Sequence, residues 1–308
     1  PLAEVSHAQG VLLGRLADVG MDWREHASLA ALTDEVLHTS AIEGELLNVM
    51  SVRSSLARRL GVDIGALPPA DRQVEGVVEL VLNATRDNQA ALTAERLFGW
   101  HAALFPTGRS GIQKIRTGAY RDHAEPMQIV TPRLGKPDVV HYQAPDSADV
   151  PAHMMQLIDW FNDSRGKTDG LVRAAIAHLW FEAVHPFEDG NGRMGRALSE
   201  MALAQDLKTD QRLWSLLQQM WLDRAGYYAQ LQAATGQADM DVTPWVHWFV
   251  GCVHKAADAC WEHMQSAMRK TRFWAALREQ HPQITPTQTK AINKLYDAGP
   301  NGFAGGMS

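Results

Sequence analysis

Twelve consecutive residues, His185-Pro-Phe-Glu-Asp-Gly-Asn-Gly-Arg-Met-Gly-Arg196, gather one imidazole, two carboxylates, three glycines and two guanidinium groups. An imidazole titrates near neutral pH and can take a proton from an attacking hydroxyl, which makes His185 a candidate general base. Asp189 is a hard oxygen ligand, suited to Mg²⁺ that bridges phosphate oxygens. Gly190 and Gly192 flank Asn191 where a second helix begins. Bare backbone N–H groups and a positive helix end make an anion site there. Arg193 and Arg196 are three apart, share a helix face and can reach the same polyphosphate. Each feature alone is ordinary: a histidine before proline is usually structural, helix arginines are usually solvated, and Gly-Asn-Gly is a common turn. Together, within twelve residues, they point to a loop that holds a polyphosphate and acts on it.

Helices have to position this loop. The preceding stretch, DGLVRAAIAHLWFEAV (169–184), is apolar on most sides and predicts a core helix. It should stop at His185, because a residue before proline is pushed out of the helical region. The next helix is expected from Gly192 through RMGRALSEMALAQDL. Gly190-x-Gly192-x-x-Gly195 also satisfies the dinucleotide-fold fingerprint, but that motif needs a strand before it and a βαβ unit around it. A helix precedes it here, so that reading is rejected; a Walker pattern is absent too. Upstream, residues 16–60 read as one or two helices, broken by Pro68-Pro69 before a helix start at Asp71. Further helices run through 74–87 and 93–105, the latter with Thr93 as N-cap. Residues 106–146 differ: strand-like runs at 127–130 and 139–142 predict a β-hairpin with a longish connection. Helices resume near Pro151 and continue to about residue 280, with tryptophan stripes (Trp214 and Trp221, Trp245 and Trp248) that read as core.

With 308 residues the chain can form one large domain or two to three small ones. Its 45% hydrophobic and 21% charged content is that of a soluble globular protein. A net charge of −6 argues against a broad nucleic-acid-binding face. Cys252 and Cys260, eight apart, indicate neither a disulfide framework nor a zinc cluster, so a reducing cytoplasm is expected. No apolar run reaches the roughly 18 residues of a membrane span, and PLAEVSHAQG carries no signal-peptide pattern. The start at Pro1 and the end at NGFAGGMS predict that sequence is missing at both ends.

The loop resembles the Fic-domain motif, His-x-Phe-x-Asp/Glu-Gly-Asn-Gly-Arg-x-x-Arg, at every defined position. The resemblance implies a mostly α fold: a helical bundle core over about residues 95–250 with a small hairpin flap. An N-terminal helical region over 1–94 and C-terminal helices over 251–308 complete it. It implies a protein adenylyltransferase that moves AMP from ATP to hydroxyls of target proteins, itself included, with pyrophosphate released. In that likeness His185 is the base and Asp189 the Mg²⁺ ligand. Gly190, Asn191 and Gly192 form the anion hole, and Arg193 and Arg196 hold the β- and γ-phosphates. Phe187 anchors the loop, and Tyr228 lines the adenine pocket. The hairpin at 127–142 becomes a flap that registers the target by strand pairing, and a homodimer is expected. Upstream, Thr39-Ser-Ala-Ile-Glu43-Gly44 resembles the inhibitory-helix motif, with Glu43 placed to pair with Arg196 and occupy the γ-phosphate's place. In some members the same glutamate orients a water that removes AMP, and the residues leave brake alone or brake plus hydrolysis open. ITPTQTKAINKLYDAG loosely resembles the first helix of a winged-helix module. The alternatives are a different phosphate-containing donor in the same loop, or a non-catalytic nucleotide-sensing regulator or adaptor whose winged helix binds DNA or a partner.

Overall fold

Local capping chemistry sets several helix starts in the computed structural model, which describes residues 2–16, 21–63, 71–133, 136–209, 212–236 and 241–298. The chain opens with α1 (Leu2–Leu16), upstream of the stretch read as helical, followed by α2 (Met21–Ile42) and α3 (Val49–Leu60). Asn48 caps α3 by accepting the Ser51 N–H at 3.0 Å. α4 (Arg72–Arg86) starts on Asp71, which accepts the Val74 N–H at 2.8 Å. α5 (Ala94–Leu104) starts on Thr93, as the sequence predicts, through the Arg96 N–H at 3.1 Å.

Two hairpins follow. The first, β1 (Arg109–Ser110) with β2 (Gln113–Lys114), was not expected from the sequence. The second pairs β3 (Gln128–Arg133) with β4 (Lys136–Gln143) in antiparallel register, Ile129 opposite Tyr142 and Arg133 opposite Lys136. Most of the segment read as a connection is therefore strand. Each hairpin is a separate two-stranded sheet, so their outer edges are unpaired among the described residues.

α6 (Val150–Asp163), α7 (Gly170–Val184), α8 (Asn191–Leu207), α9 (Leu216–Leu222) and α10 (Arg224–Gly236) complete the bundle. Ala174, Ala175, Phe181 and Val184 of α7 are buried with Met194, Leu198 and Met201 of α8, forming the central layer of the core. α2 is tied to this layer by a buried polar cluster. Glu35 accepts the Leu217 N–H at 3.3 Å, and Glu200 of α8 contacts Arg212. Burial and the neighbouring Glu200 push the Glu35 carboxyl well up, and burial raises Glu200 as well.

α11 (Thr243–Gln280) runs from the first compact unit, residues 1–257, into a second, residues 258–308. Trp245 of α11 is fully buried and donates its indole N–H to Ala175 O at 2.8 Å. Within the second unit, α12 (Pro286–Ala298) packs Tyr296 on Phe273. The fold is mostly α with small hairpins. No helix among the described residues is long and apolar enough to cross a membrane.

Candidate active site

The stretch from His185 to Gly190 is the connection between the two most buried helices, and its geometry starts at His185. α7 ends there: His185 takes a left-handed conformation, φ 49° and ψ 59°, because Pro186 excludes it from the helix. Arg121 locks the turn. Its Nε donates to His185 O at 2.8 Å, its Nη2 to Pro145 O at 2.6 Å, and its backbone N–H to Pro186 O at 2.9 Å. His185 Nδ1 lies 3.3 Å from Glu182 O. A carbonyl only accepts, so Nδ1 carries the proton and Nε2 keeps its lone pair. Burial lowers the His185 pKa below its ordinary value, helped by Arg121 and opposed by Glu182 O, Glu43 and Asp189.

Phe187 is fully buried and stacks on His101 of α5, with centroids 4.3 Å apart. His101 was not among the residues read from the sequence. Its Nδ1 accepts the Gly118 N–H at 3.0 Å, which leaves Nε2 to donate to Asp189 O at 3.1 Å. Burial pushes its pKa down to about 4, so the ring is neutral and the assignment holds. Asn191 closes the neck of the loop: its side chain accepts the Phe187 N–H at 2.9 Å and donates to Phe187 O at 2.8 Å. Its amide side chain is thus spent on the loop, and the anion site expected here rests on backbone N–H groups. α8 starts at Asn191, one residue earlier than read, behind Gly190 at φ 79°. Asp189 Oδ1 accepts the Gly190 N–H at 2.6 Å, and Oδ2 takes the Ser110 hydroxyl from the β1–β2 hairpin.

The two arginines are already engaged. Arg196 is fully buried and its Nη2 binds Glu43 Oε1 at 2.6 Å and Thr39 O at 2.9 Å; its Nε donates to Thr39 Oγ1 at 3.1 Å. Burial works against its charge, but Glu43, Tyr227 and Glu182 outweigh it and hold the guanidinium above its ordinary pKa. Tyr227 accepts from Arg196 Nη1 at 3.3 Å and lies 2.9 Å from His178 Nε2. Arg193 Nη1 binds Glu45 Oε2 at 3.0 Å, a contact the sequence reading did not foresee.

A cavity of about 280 Å³ opens onto the loop. His185, Asp189, the Gly190–Gly192 backbone, Glu43 and Tyr228 all line it, so the structure brings most of the sequence-predicted residues together. Tyr142 of β4 also lines it and ties the hairpin to α7 by donating to Ala183 O at 2.6 Å. Neither Arg193 nor Arg196 lines it; the charged lining consists of Glu43, Glu182, Glu188 and Asp189, with His185 beside them. Glu182 is buried, and its pKa is pushed up to about 7 by burial, with Arg196 opposing and Glu43 adding. Tyr228 is half-exposed and donates to Ile42 O at 3.2 Å.

No group of three or more His, Cys, Asp or Glu side chains among the described residues is arranged to hold a metal by itself. Asp189 fits a different mode. Mg²⁺ is commonly held by one or two carboxylates together with substrate phosphates and water, and Asp189 offers one carboxylate at the mouth of the α8 N-terminus.

Residues 91–203, which carry this loop, match the family model described as Fic/DOC family. They form a Fic/DOC family domain. Residues 1–62, which include Thr39, Glu43 and Glu45, match a model described only as a domain of unknown function, DUF4172. The chain is 24% identical over 274 residues to the protein adenylyltransferase Fic of Drosophila willistoni, covering 87% of this chain and 47% of that protein. It is 32% identical over 149 residues to the protein adenylyltransferase fic-1 of Caenorhabditis briggsae, covering 46% and 25% respectively. The chain thus spans about half or less of these curated relatives. In fold, the Fic domain and its surroundings are similar to two solved structures. One is a Fic family protein from Desulfovibrio desulfuricans, with TM-score 0.59, 22% identity, and 85% and 74% of the two chains covered. The other is a Fic domain containing signaling protein from Bacteroides thetaiotaomicron, with TM-score 0.62, 17% identity, and 83% and 95% covered.

Proposed function

We propose that this chain is a protein adenylyltransferase held in a closed state by its own N-terminal region. The observation that carries the reading is the meeting of three groups at one cavity. They are an imidazole with a free Nε2 lone pair, the bare N-terminus of α8, and a carboxylate, Glu43, seated on Arg196.

ATP would lay its phosphates along the start of α8, with the backbone N–H groups of its first turn, after Gly190, and the helix dipole facing the α- and β-phosphates. Asp189 would hold Mg²⁺, which supplies charge neutralisation of the phosphates when bound. His185 Nε2 takes the proton of the attacking target hydroxyl as its oxygen bonds to the α-phosphorus and the bond to pyrophosphate breaks. Depression of the His185 pKa by burial keeps that lone pair available at neutral pH. Tyr228 would line the adenine side, and the target segment would add to the open edge of the β3–β4 hairpin, beside Tyr142.

Glu43 blocks this arrangement by taking the guanidinium that the γ-phosphate needs. Thr39 sets the geometry by accepting from the same arginine twice. After release of Arg196, Glu43 stands in the cavity, where a carboxylate can orient a water for AMP removal. A homodimer and a cytoplasmic location belong to the same reading.

The test is labelling of purified protein by ATP carrying its label at the α- or the γ-phosphate, with Mg²⁺. Wild type, Glu43→Gly, and Glu43→Gly with His185→Ala are compared. Retention of the α-label alone, strongest in the single variant and lost in the double, is the expected outcome. Retention of the γ-label would make the site a kinase. ATP binding with no label retained by any variant would favour the nucleotide-sensing regulator.

A further inference from the structure

Glu43 accounts for one arginine of the loop, but both are occupied. Arg193, whose side chain is only 8% exposed, is held by Glu45 at 3.0 Å and lies over the Phe105 ring at 5.1 Å. Glu45 is itself fixed from a second side, because Gln73 of α4 donates to Glu45 Oε1. The backbone explains how two carboxylates two residues apart reach two arginines on one helix. α2 ends in a turn in which Ser40 O accepts the N–H groups of both Glu43 and Glu45, each at 3.0 Å, and Ala41 O accepts that of Gly44. Gly44 sits between them at φ 85°, a conformation that a residue with a Cβ adopts only under strain. The turn folds Glu45 back beside Glu43, so both project onto α8.

We propose that Glu45 is a second closing residue, which with Glu43 forms a two-carboxylate mimic of a polyphosphate that occupies both arginines of the nucleotide site. The proposal rests on the adenylyltransferase reading and deepens it. Arg193 lies nearer the α8 N-terminus, and Arg196 is about 4.5 Å further along the axis, at 1.5 Å per residue. Arg193 therefore faces the β-phosphate and Arg196 the γ-phosphate. Glu45 governs binding of any nucleotide that has a β-phosphate, whereas Glu43 governs ATP alone. The geometry also accounts for the lining of the cavity, in which carboxylates face the space and both guanidinium groups are turned to α2 and the residues after it.

The test is calorimetric titration of AMP, ADP and Mg·ATP into wild type, Glu45→Gln, Glu43→Gly and the double variant, with Glu45→Ala as a second probe. Melting temperature without nucleotide checks the fold. Glu45→Gln is expected to tighten ADP about fivefold and to leave AMP unchanged, as loss of a partly exposed ion pair allows. The double variant is expected to bind ATP more tightly than Glu43→Gly by a similar factor. If Glu43→Gly binds ATP but neither Glu45 variant alters ADP affinity, or AMP tightens as much as ADP, the second closing contact is overturned and the adenylyltransferase reading stands. If Glu43→Gly binds no ATP, the nucleotide reading falls and this proposal falls with it.

Discussion

Replacing Glu43 with glycine should make the protein less stable without nucleotide and more strongly stabilised by it. The Glu43–Arg196 pair is short, 2.6 Å, with the guanidinium fully buried and the carboxylate side chain 35% exposed. Removing one partner of a fully buried pair costs about 3–5 kcal/mol. Two features reduce that here: Glu43 is partly solvated, and Arg196 keeps Thr39 O, Thr39 Oγ1 and Tyr227 as acceptors. About 1–2 kcal/mol is therefore expected. At roughly 2–4 °C per kcal/mol for a domain of this size, the melting temperature drops by roughly 2–8 °C. In the proposed reading wild type has to break the same pair before ATP can use Arg196, so its affinity should be weaker by that 1–2 kcal/mol, about five- to thirtyfold. Saturating ligand, at a hundred times its dissociation constant, stabilises by about 2.7 kcal/mol. A thermal-shift series with and without Mg·ATP reads both effects: a lower starting point for Glu43→Gly and a larger rise on adding nucleotide. A lower starting point with a rise no larger than wild type's would refute the claim that the pair competes with ATP.

His101→Ala removes the ring stacked on Phe187 and two hydrogen bonds that clamp Gly118 and Asp189. A loss of roughly 3–4 kcal/mol is expected, read as a lower urea midpoint, and a loss under about 1 kcal/mol would deny the clamp. His178 tests the pH dependence. Burial pushes its folded pKa down to about 3, below the ordinary 6.5, so its contribution to stability is complete above 6.5 and is lost as pH falls toward 3. Over that window, urea midpoints of His178→Phe should fall less steeply with acid than those of wild type; parallel curves would mean that His178 titrates normally.

The loop was legible because its chemistry is contiguous. Twelve residues carry the candidate base, the candidate metal ligand, the proposed anion site and the arginines, and proline explains the break at His185. The pairing of Glu43 with Arg196, 153 positions apart, was foreseeable only through the resemblance, since no local pattern joins them. His101, Glu45 and Ser110 were missed for the same reason. Each reaches the site from a separate element, and a lone polar residue on a helix, strand or turn carries no signal of what it faces across the bundle. The second hairpin extends beyond the strand-like runs at 127–130 and 139–142, into a stretch where Pro132 and Pro137 weaken the strand signal. Each strand has an unpaired outer edge among the described residues, and the pairing registers Thr131 with Val139 and Arg133 with Lys136 while skipping Pro132, so the prolines are tolerated. The β1–β2 hairpin has two residues per strand, too few to show any alternation.

Gly192 has a wider consequence. A Cβ built there would run into Glu43 Oε1 and reach within 3.0 Å of Arg196 Nη1, so the glycine is the seat on which the carboxylate rests. In the proposed reading a phosphate needs the same open backbone. No substitution at 192 can then unseat the glutamate without also spoiling the place of the nucleotide, and the two functions are inseparable at that position. The control can be loosened without touching the loop only from the residues that face it, such as Thr39, Glu43, Gly44 and Glu45. Control and chemistry would then lie in the two separately matched segments, 1–62 and 91–203.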